Sequence, residues 1–145
     1  MRAFISLIVL IAILAISHGV NEVKYPSYLA NAPKDSITDK WNMHNRECVS
    51  YTAYKVEQQY GYSTKYWGDA KQWPIMAKKA GIAIGYTPRD KSVAIYPYSK
   101  TGHAMWVEKA YKDGSIRISE YNYDGDGYYD QMGIMPDNRL VYIYF

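Results

Sequence analysis

A single cysteine among 145 residues rules out an internal disulfide. Phenylalanine is scarce too, with 2 against 17 tyrosines and 4 tryptophans, so most of the aromatic surface carries a polar edge that suits a groove for a polar polymer. Charge of one sign is nearly absent as a surplus: the formal net charge is +3, too weak to point to a nucleic-acid partner. No internal repeat and no low-complexity segment is present, which leaves an ordinary folded domain. Long hydrophobic runs are also missing. The one apolar run, from Phe4 to Ile16, falls short of the ~20 residues of a membrane span. It follows Arg2 and leads into Ala15, Ser17 and Gly19, the arrangement of a secretory signal over residues 1–19 cleaved after Ser17 or Gly19. An uncleaved N-terminal membrane anchor is the alternative. Roughly 125 residues then remain, enough for one domain and too few for two.

Export changes what a lone cysteine means. Secreted chains use cysteines in pairs, and one left over points to an intermolecular bridge or a reactive thiol. Residues 20–44 mix Pro26, Pro33, Asn31 and Asp35 without apolar period and read as an arm or linker ahead of a domain over residues 45–145. A helix is expected from Glu47, with Val49, Ala53 and Val56 on one face, Asn45 as its cap and Gly61 as its stop. Cys48 then stands on the first turn, where unpaired N–H groups and the helix dipole favour thiolate over thiol. A small buried hydrophobe is the competing reading of this residue. Residues 68–81 read as two short helical pieces, with Pro74 on the first turn of the second and Trp73, Met76 and Ala77 toward the core.

After Gly81 the period changes to two. Strands are expected at Ile82–Tyr86, Val93–Tyr96, His103–Tyr111, Ile116–Asn122 and Arg139–Phe145, with a hairpin turn at Asp113-Gly114. A two- or four-residue loop there sets Tyr111 opposite Ile116, Val107 opposite Glu120 and Met105 opposite Asn122. His103, Met105 and Val107 would then share a face with Glu120 and Asn122, whereas a three-residue loop would shift the parity. A thiol nucleophile needs a base, and the base needs a polar group to fix its ring. His103 has such company on its strand face; His44, four residues before Cys48, has no acid aimed at it. Asn122 to Asp130 also resembles an EF-hand loop, with oxygen ligands at positions 1, 3, 5 and 9, but position 12 is Gly133 where a bidentate Glu is needed. A glycine-rich turn is the simpler reading, and no metal or other cofactor is expected.

Taken in order, Cys48 opening a helix with Tyr51 after it, Gly68-Asp69-Ala70-Lys71-Gln72-Trp73-Pro74, Thr87-Pro88 before a strand, Gly102-His103-Ala104-Met105-Trp106-Val107 and Ser119-Glu120-Tyr121-Asn122 resemble a CHAP domain. This is the cysteine- and histidine-dependent amidohydrolase/peptidase module of cell-wall lytic enzymes. The resemblance covers about Asn45 to Phe145. It departs from the family at Asp90-Lys91-Ser92, where a glycine is common, and in lacking the acidic calcium loop that some relatives carry ahead of the cysteine.

The resemblance implies a papain-like α+β fold, with N-terminal helices packed on an antiparallel β-sheet. It also implies hydrolysis of amide bonds in peptidoglycan, by amidase action between sugar and peptide or by endopeptidase action within the peptide. By position Cys48 matches the nucleophile, His103 the base, Glu120 the residue that orients the imidazole and Asn122 a further polar group of the site. Trp106, Tyr51 and Tyr121 are the aromatics expected to meet substrate. A non-catalytic module that binds wall glycan or peptide on the same fold is the alternative. The partner is peptidoglycan, with no nucleic acid and no stable membrane association after signal cleavage. The protein is expected to act as a monomer, secreted or bound to the cell wall. Its mature chain should begin within a few residues of Ser17 or Gly19; N-terminal sequencing of secreted protein checks this, and material still starting at Met1 would mean an anchor.

Overall fold

The computed structural model describes residues 25–145, so the expected signal lies outside the described residues. Among them no helix is long and apolar enough to cross a membrane. A short helix α1 (Ser27–Ala30) precedes the main helix α2 (Cys48–Tyr60). A single 3₁₀ turn at Ala70–Gln72 runs directly into α3 (Trp73–Lys79). Strands β1 (Ala83–Gly85), β2 (Val93–Tyr96), β3 (His103–Ala110), β4 (Ile116–Tyr121), β5 (Tyr129–Ile134) and β6 (Val141–Tyr144) follow. They form one antiparallel sheet in the order β1-β6-β2-β3-β4-β5. This is the α+β arrangement expected, helices first and sheet after.

Alternation along the strands gives the sheet two buried faces. Val93, Ile95, Ala104, Trp106, Tyr121 and Ile143 pack toward α2, joining Tyr51, Ala53 and Val56. Ala94, Met105, Val107, Ile116, Ile118 and Tyr142 fill the opposite face with Leu140. All four tryptophans are buried, and truncating one such as Trp73, which has no exposed surface, would cost about 3–5 kcal/mol. The segment ahead of α2 is part of this core: Tyr25, Leu29, Trp41 and Met43 are buried in it, and the Tyr25 ring meets the rings of Tyr51, Tyr54 and Tyr121.

One local expectation is corrected, and two features are new. Asn45 does not cap α2; Glu47 occupies that position, and the buried Asn45 amide instead donates to the Leu29 and Pro33 carbonyls and accepts from Ile37 N–H. Strand β5 was not foreseen, because Tyr129–Ile134 has only partly buried residues and no clean alternation to announce it. Where the family often has glycine before β2, Lys91 itself takes the left-handed conformation, with φ of 61°.

The β3–β4 hairpin differs in register but keeps the predicted face. Ala110 pairs with Ile116, so the loop is the five residues Tyr111–Ser115, an odd number that shifts parity against the expectation. A β-bulge between Val107 and Lys109 then shifts it back, leaving Val107 opposite Ile118 and Trp106 opposite Ser119. Without the bulge Glu120 would lie on the face of Trp106; with it, Glu120 shares the face of Met105 and His103.

The turn entering β3 depends on Gly102, whose φ is +75°; a Cβ there would lie 2.6 Å from the Lys71 backbone nitrogen and 3.0 Å from the Tyr96 carbonyl oxygen. This closeness reflects the Lys71 N–H bond to Thr101 O at 3.0 Å, which ties the turn to the 3₁₀ segment. Gly102→Ala should lose about 1–2 kcal/mol from the left-handed conformation alone, plus the clash. Gly114→Ala, at φ of +88° with only the Met135 sulfur nearby at 3.8 Å, should lose only the first part. Denaturant unfolding of both variants checks the ordering.

Candidate active site

Cys48 is the first residue of α2 and only 8% exposed. The chain reaches it through Arg46 in the left-handed region, with φ of 63°, and an extended Glu47. Such a bend in a non-glycine residue needs outside support. Arg46 N–H donates to the Tyr25 hydroxyl at 3.2 Å, Tyr25 shares a hydrogen bond with the Ser50 hydroxyl at 2.6 Å, and Ser50 donates to the buried carboxylate of Asp39. Asp39 also accepts from Trp41 and Met43 N–H groups, at 2.9 Å each. Among the described residues no side chain caps α2, which leaves the N–H groups of its first turn for another acceptor.

His103, the first residue of β3, stands between Cys48 and Glu120. Its Nε2 lies 2.9 Å from Glu120 Oε2, and Glu120 has no exposed surface. Cys48 lines the same cleft as the ring, and with Nε2 committed to the carboxylate, Nδ1 is the nitrogen that remains to face the sulfur. Burial disfavours the imidazolium, yet the hydrogen bonds and charges of Cys48 and Glu120 outweigh it and raise His103 from 6.5 to about 9. Burial pushes Glu120 up, opposed by His103 and aided by the carboxylates of Asp130 and Asp124. The Tyr123 ring meets the imidazole edge-on at 5.6 Å.

Asn122 is placed in the same cleft but not on the imidazole. Its Nδ2 donates to Glu47 Oε2 at 2.8 Å, and its Oδ1 accepts from Gly127 N–H at 2.7 Å. Glu47 holds Lys34 through its other oxygen at 2.6 Å. The side chain before the cysteine thus joins the N-terminal segment to the β4–β5 turn. In that turn Asp126 accepts from Tyr128 N–H at 2.8 Å, and Asp130 has already entered β5, opposite Glu120. The stretch with EF-hand spacing therefore runs into a strand rather than circling back. His44 is exposed on the loop before α2.

The predicted substrate aromatics are corrected. Trp106, Tyr51 and Tyr121 are 2%, 1% and 5% exposed and pack in the core between α2 and the sheet, where Tyr51 donates to the Ser119 hydroxyl at 2.9 Å; none of them lines the cleft beside Cys48, and Tyr121 reaches another cleft, at its floor. Their strand and helix positions point them inward. The groups that do line the cleft of about 680 Å³ beside Cys48 and His103 include Tyr96, Met105, Tyr123, Met135, Arg139 and Leu140. Of these, Tyr123 was findable as the neighbour of Asn122; the others come from chain segments that only folding brings together.

Over residues 38–122 the chain matches the family model described as the CHAP domain. The chain belongs to the CHAP domain family. Among curated proteins it is similar to the staphylococcal secretory antigen ssaA2 of Staphylococcus aureus, with 31% identity over 99 residues, covering 68% of this chain and 36% of that protein. It is likewise similar to the probable autolysin LDP of Staphylococcus aureus, at 28% identity over 75% of this chain and 39% of the relative. The chain thus spans little more than a third of the length of these relatives. Among solved structures, the N-acetylmuramoyl-L-alanine amidase from Staphylococcus aureus shares the fold, with a TM-score of 0.62 at 22% identity over 88% of this chain and 38% of that one.

For this CHAP domain the pairing of ring and thiol sets a titration. NMR of the His103 ring should give a midpoint near 9 rather than 6.5, and Cys48→Ala should lower it, because burial then acts against the imidazolium with one partner gone. A group raised on folding contributes stability in full below about 6.5, and this is lost as pH rises through about 9. Denaturant midpoints should therefore fall across that interval, and fall less in Cys48→Ala. A His103 midpoint indifferent to Cys48→Ala would refute the pairing.

Proposed function

We propose that this chain is a secreted, thiol-dependent hydrolase of amide bonds in peptidoglycan. The observation that carries the reading is one imidazole held between the thiol at the start of α2 and a solvent-free carboxylate, in an open cleft. Membership of the CHAP family supports the chemistry. Relatives named as an autolysin and an N-acetylmuramoyl-L-alanine amidase support the cell wall as substrate, and one named a secretory antigen supports export.

The steps follow from the charges. Cys48 Sγ, as thiolate, bonds to the amide carbonyl carbon, and the carbonyl oxygen takes up the negative charge. The uncapped N–H of Cys48 is placed to stabilise that oxyanion, a role worth about 3–4 kcal/mol per donor. The His103 imidazolium gives its proton to the amide nitrogen as the carbon–nitrogen bond breaks, leaving a thioester and a free amine. A proton held to about pH 9 suits that donor role. Acylation then removes the thiolate charge that helped raise His103, so the ring becomes the neutral base that the second half requires. It takes a proton from water as the oxygen attacks the thioester, and the carbon–sulfur bond breaks to restore the thiolate. Glu120 keeps the ring in the orientation that serves both halves.

Because these groups act as one unit, Cys48→Ala and His103→Ala should each lower turnover of purified peptidoglycan by roughly 10⁴-fold or more, and the double variant should lose little beyond that. Glu120→Gln should cost less, since it keeps a polar partner for Nε2. Mass analysis of the released fragments separates amidase from endopeptidase products. Fragment release that survives Cys48→Ala would sink the mechanism and leave a wall-binding module.

A further inference from the structure

A second cleft, of about 500 Å³, opens beside the first. Its volume falls within the roughly 300–1,000 Å³ of small-ligand sites. The two are neighbours: Glu47, Asn122 and Gly125 line the first and Arg46, Gly127 and Tyr128 the second, so the same two backbone segments wall both. Tyr25 and Tyr121 form its buried aromatic floor, while Ser27 and Asn31 stand exposed at its rim. Tyr128 is 64% exposed and is fixed from one side by the Arg46 guanidinium, 4.8 Å from its ring centre. That guanidinium is itself held by the Gly127 and Ala32 carbonyls, at 2.7 and 3.3 Å.

The chemistry of this lining is selective. It contains no carboxylate to hold a cation and little aliphatic surface to hold a lipid or an apolar side chain. What it offers is a ring backed by the Arg46 guanidinium, two of whose nitrogens are spent on the Gly127 and Ala32 carbonyls, beside hydroxyl and amide groups. A pyranose matches this: its C–H face lies against an aromatic ring while its hydroxyl and acetamido groups exchange hydrogen bonds at the edge. The Arg46 guanidinium packs on Tyr128 before any ligand arrives, which reduces the side-chain freedom left to lose on binding.

We propose that the Tyr128 cleft binds the glycan strand of the substrate, a polymer of N-acetylated hexosamine, while the cleft beside Cys48 receives the peptide. This rests on the peptidoglycan reading above and extends it. A strand held in both clefts carries its sugar-to-peptide amide across the wall they share, two residues from where Arg46 ends and the thiol begins. The hydrolase is then directed to the amidase bond rather than to bonds within the peptide.

The probe is a β-1,4-linked tetramer of N-acetylglucosamine, titrated into the full chain carrying Cys48→Ala and followed by NMR. Saturable shifts are expected at Ser27, Asn31, Gly127 and Tyr128, with binding weakened about tenfold by Tyr128→Ala. Asn31→Ala, at an exposed site, gives a second variant that should also weaken it. In otherwise wild-type protein, Tyr128→Ala should lower the ratio of turnover on peptidoglycan to turnover on a glycan-free peptide amide by a similar factor, through KM. Shifts confined to the Cys48 cleft, no saturable shift at millimolar sugar, or a turnover ratio unchanged by Tyr128→Ala overturns the proposal. If the sugar binds at Tyr128 but wild type releases nothing from peptidoglycan, the hydrolase reading fails and the glycan site stands. Peptidoglycan fragments released by a protein that ignores the sugar would mean the reverse.

Discussion

A carboxylate without solvent is costly unless something compensates it, and Glu120 is such a group. One of its oxygens meets the His103 ring at 2.9 Å, while the other has no donor among the described residues. Asp130 and Asp124 add like charge nearby. The imidazole is therefore the partner on which this charge depends, and the imidazole in turn depends on Cys48 for the rest of its stabilisation. A buried carboxylate and a buried imidazolium that would each be unfavourable alone are tolerable together, with Cys48 adding to the support of the ring.

Bringing the three together makes demands on backbone geometry. Cys48 needs a sharp bend before a helix, and Arg46 adopts it in the left-handed region under a chain of buried hydrogen bonds running from Asp39 through Ser50 and Tyr25. His103 needs a turn that passes close to Lys71, and Gly102 permits it. Glu120 needs the face of β4 away from α2, and the bulge at Val107–Lys109 supplies the parity. The segment ahead of α2, from Tyr25 to Asn45, thereby becomes part of the support of the nucleophile rather than a tether.

Asn122 and Glu47 show how a site residue can serve through position alone. The Asn122 amide spends its donors and acceptor on Glu47 and Gly127, shaping the turn that walls both clefts. Glu47, next to the thiol in sequence, has its charge met by Lys34 at 2.6 Å and by the Asn122 amide. Tyrosines serve both ends: Tyr51 of α2 is core alone, Tyr25 and Tyr121 are core residues that also floor the second cleft, and the exposed Tyr123 and Tyr128 at turns meet the clefts from outside.

By itself the sequence determined what is local. Cys48 at a helix start, Gly61 as the stop, Pro74 on a first turn and the two-residue alternation of β2, β3 and β4 all follow from short-range sterics and hydrogen bonding, and each is where those rules put it. The pairing of His103 with Glu120 was legible through the family resemblance and through strand parity, and the parity inference survived because an odd loop and a bulge cancel. What tertiary structure alone decided is whatever depends on distant segments meeting. Asn45 left its expected cap to bond Leu29 and Pro33, Trp106 and Tyr51 turned from groove to core, and β5 paired along the edge of β4. Such choices are set by which surface is nearest once the chain has collapsed, and local pattern carries no record of that.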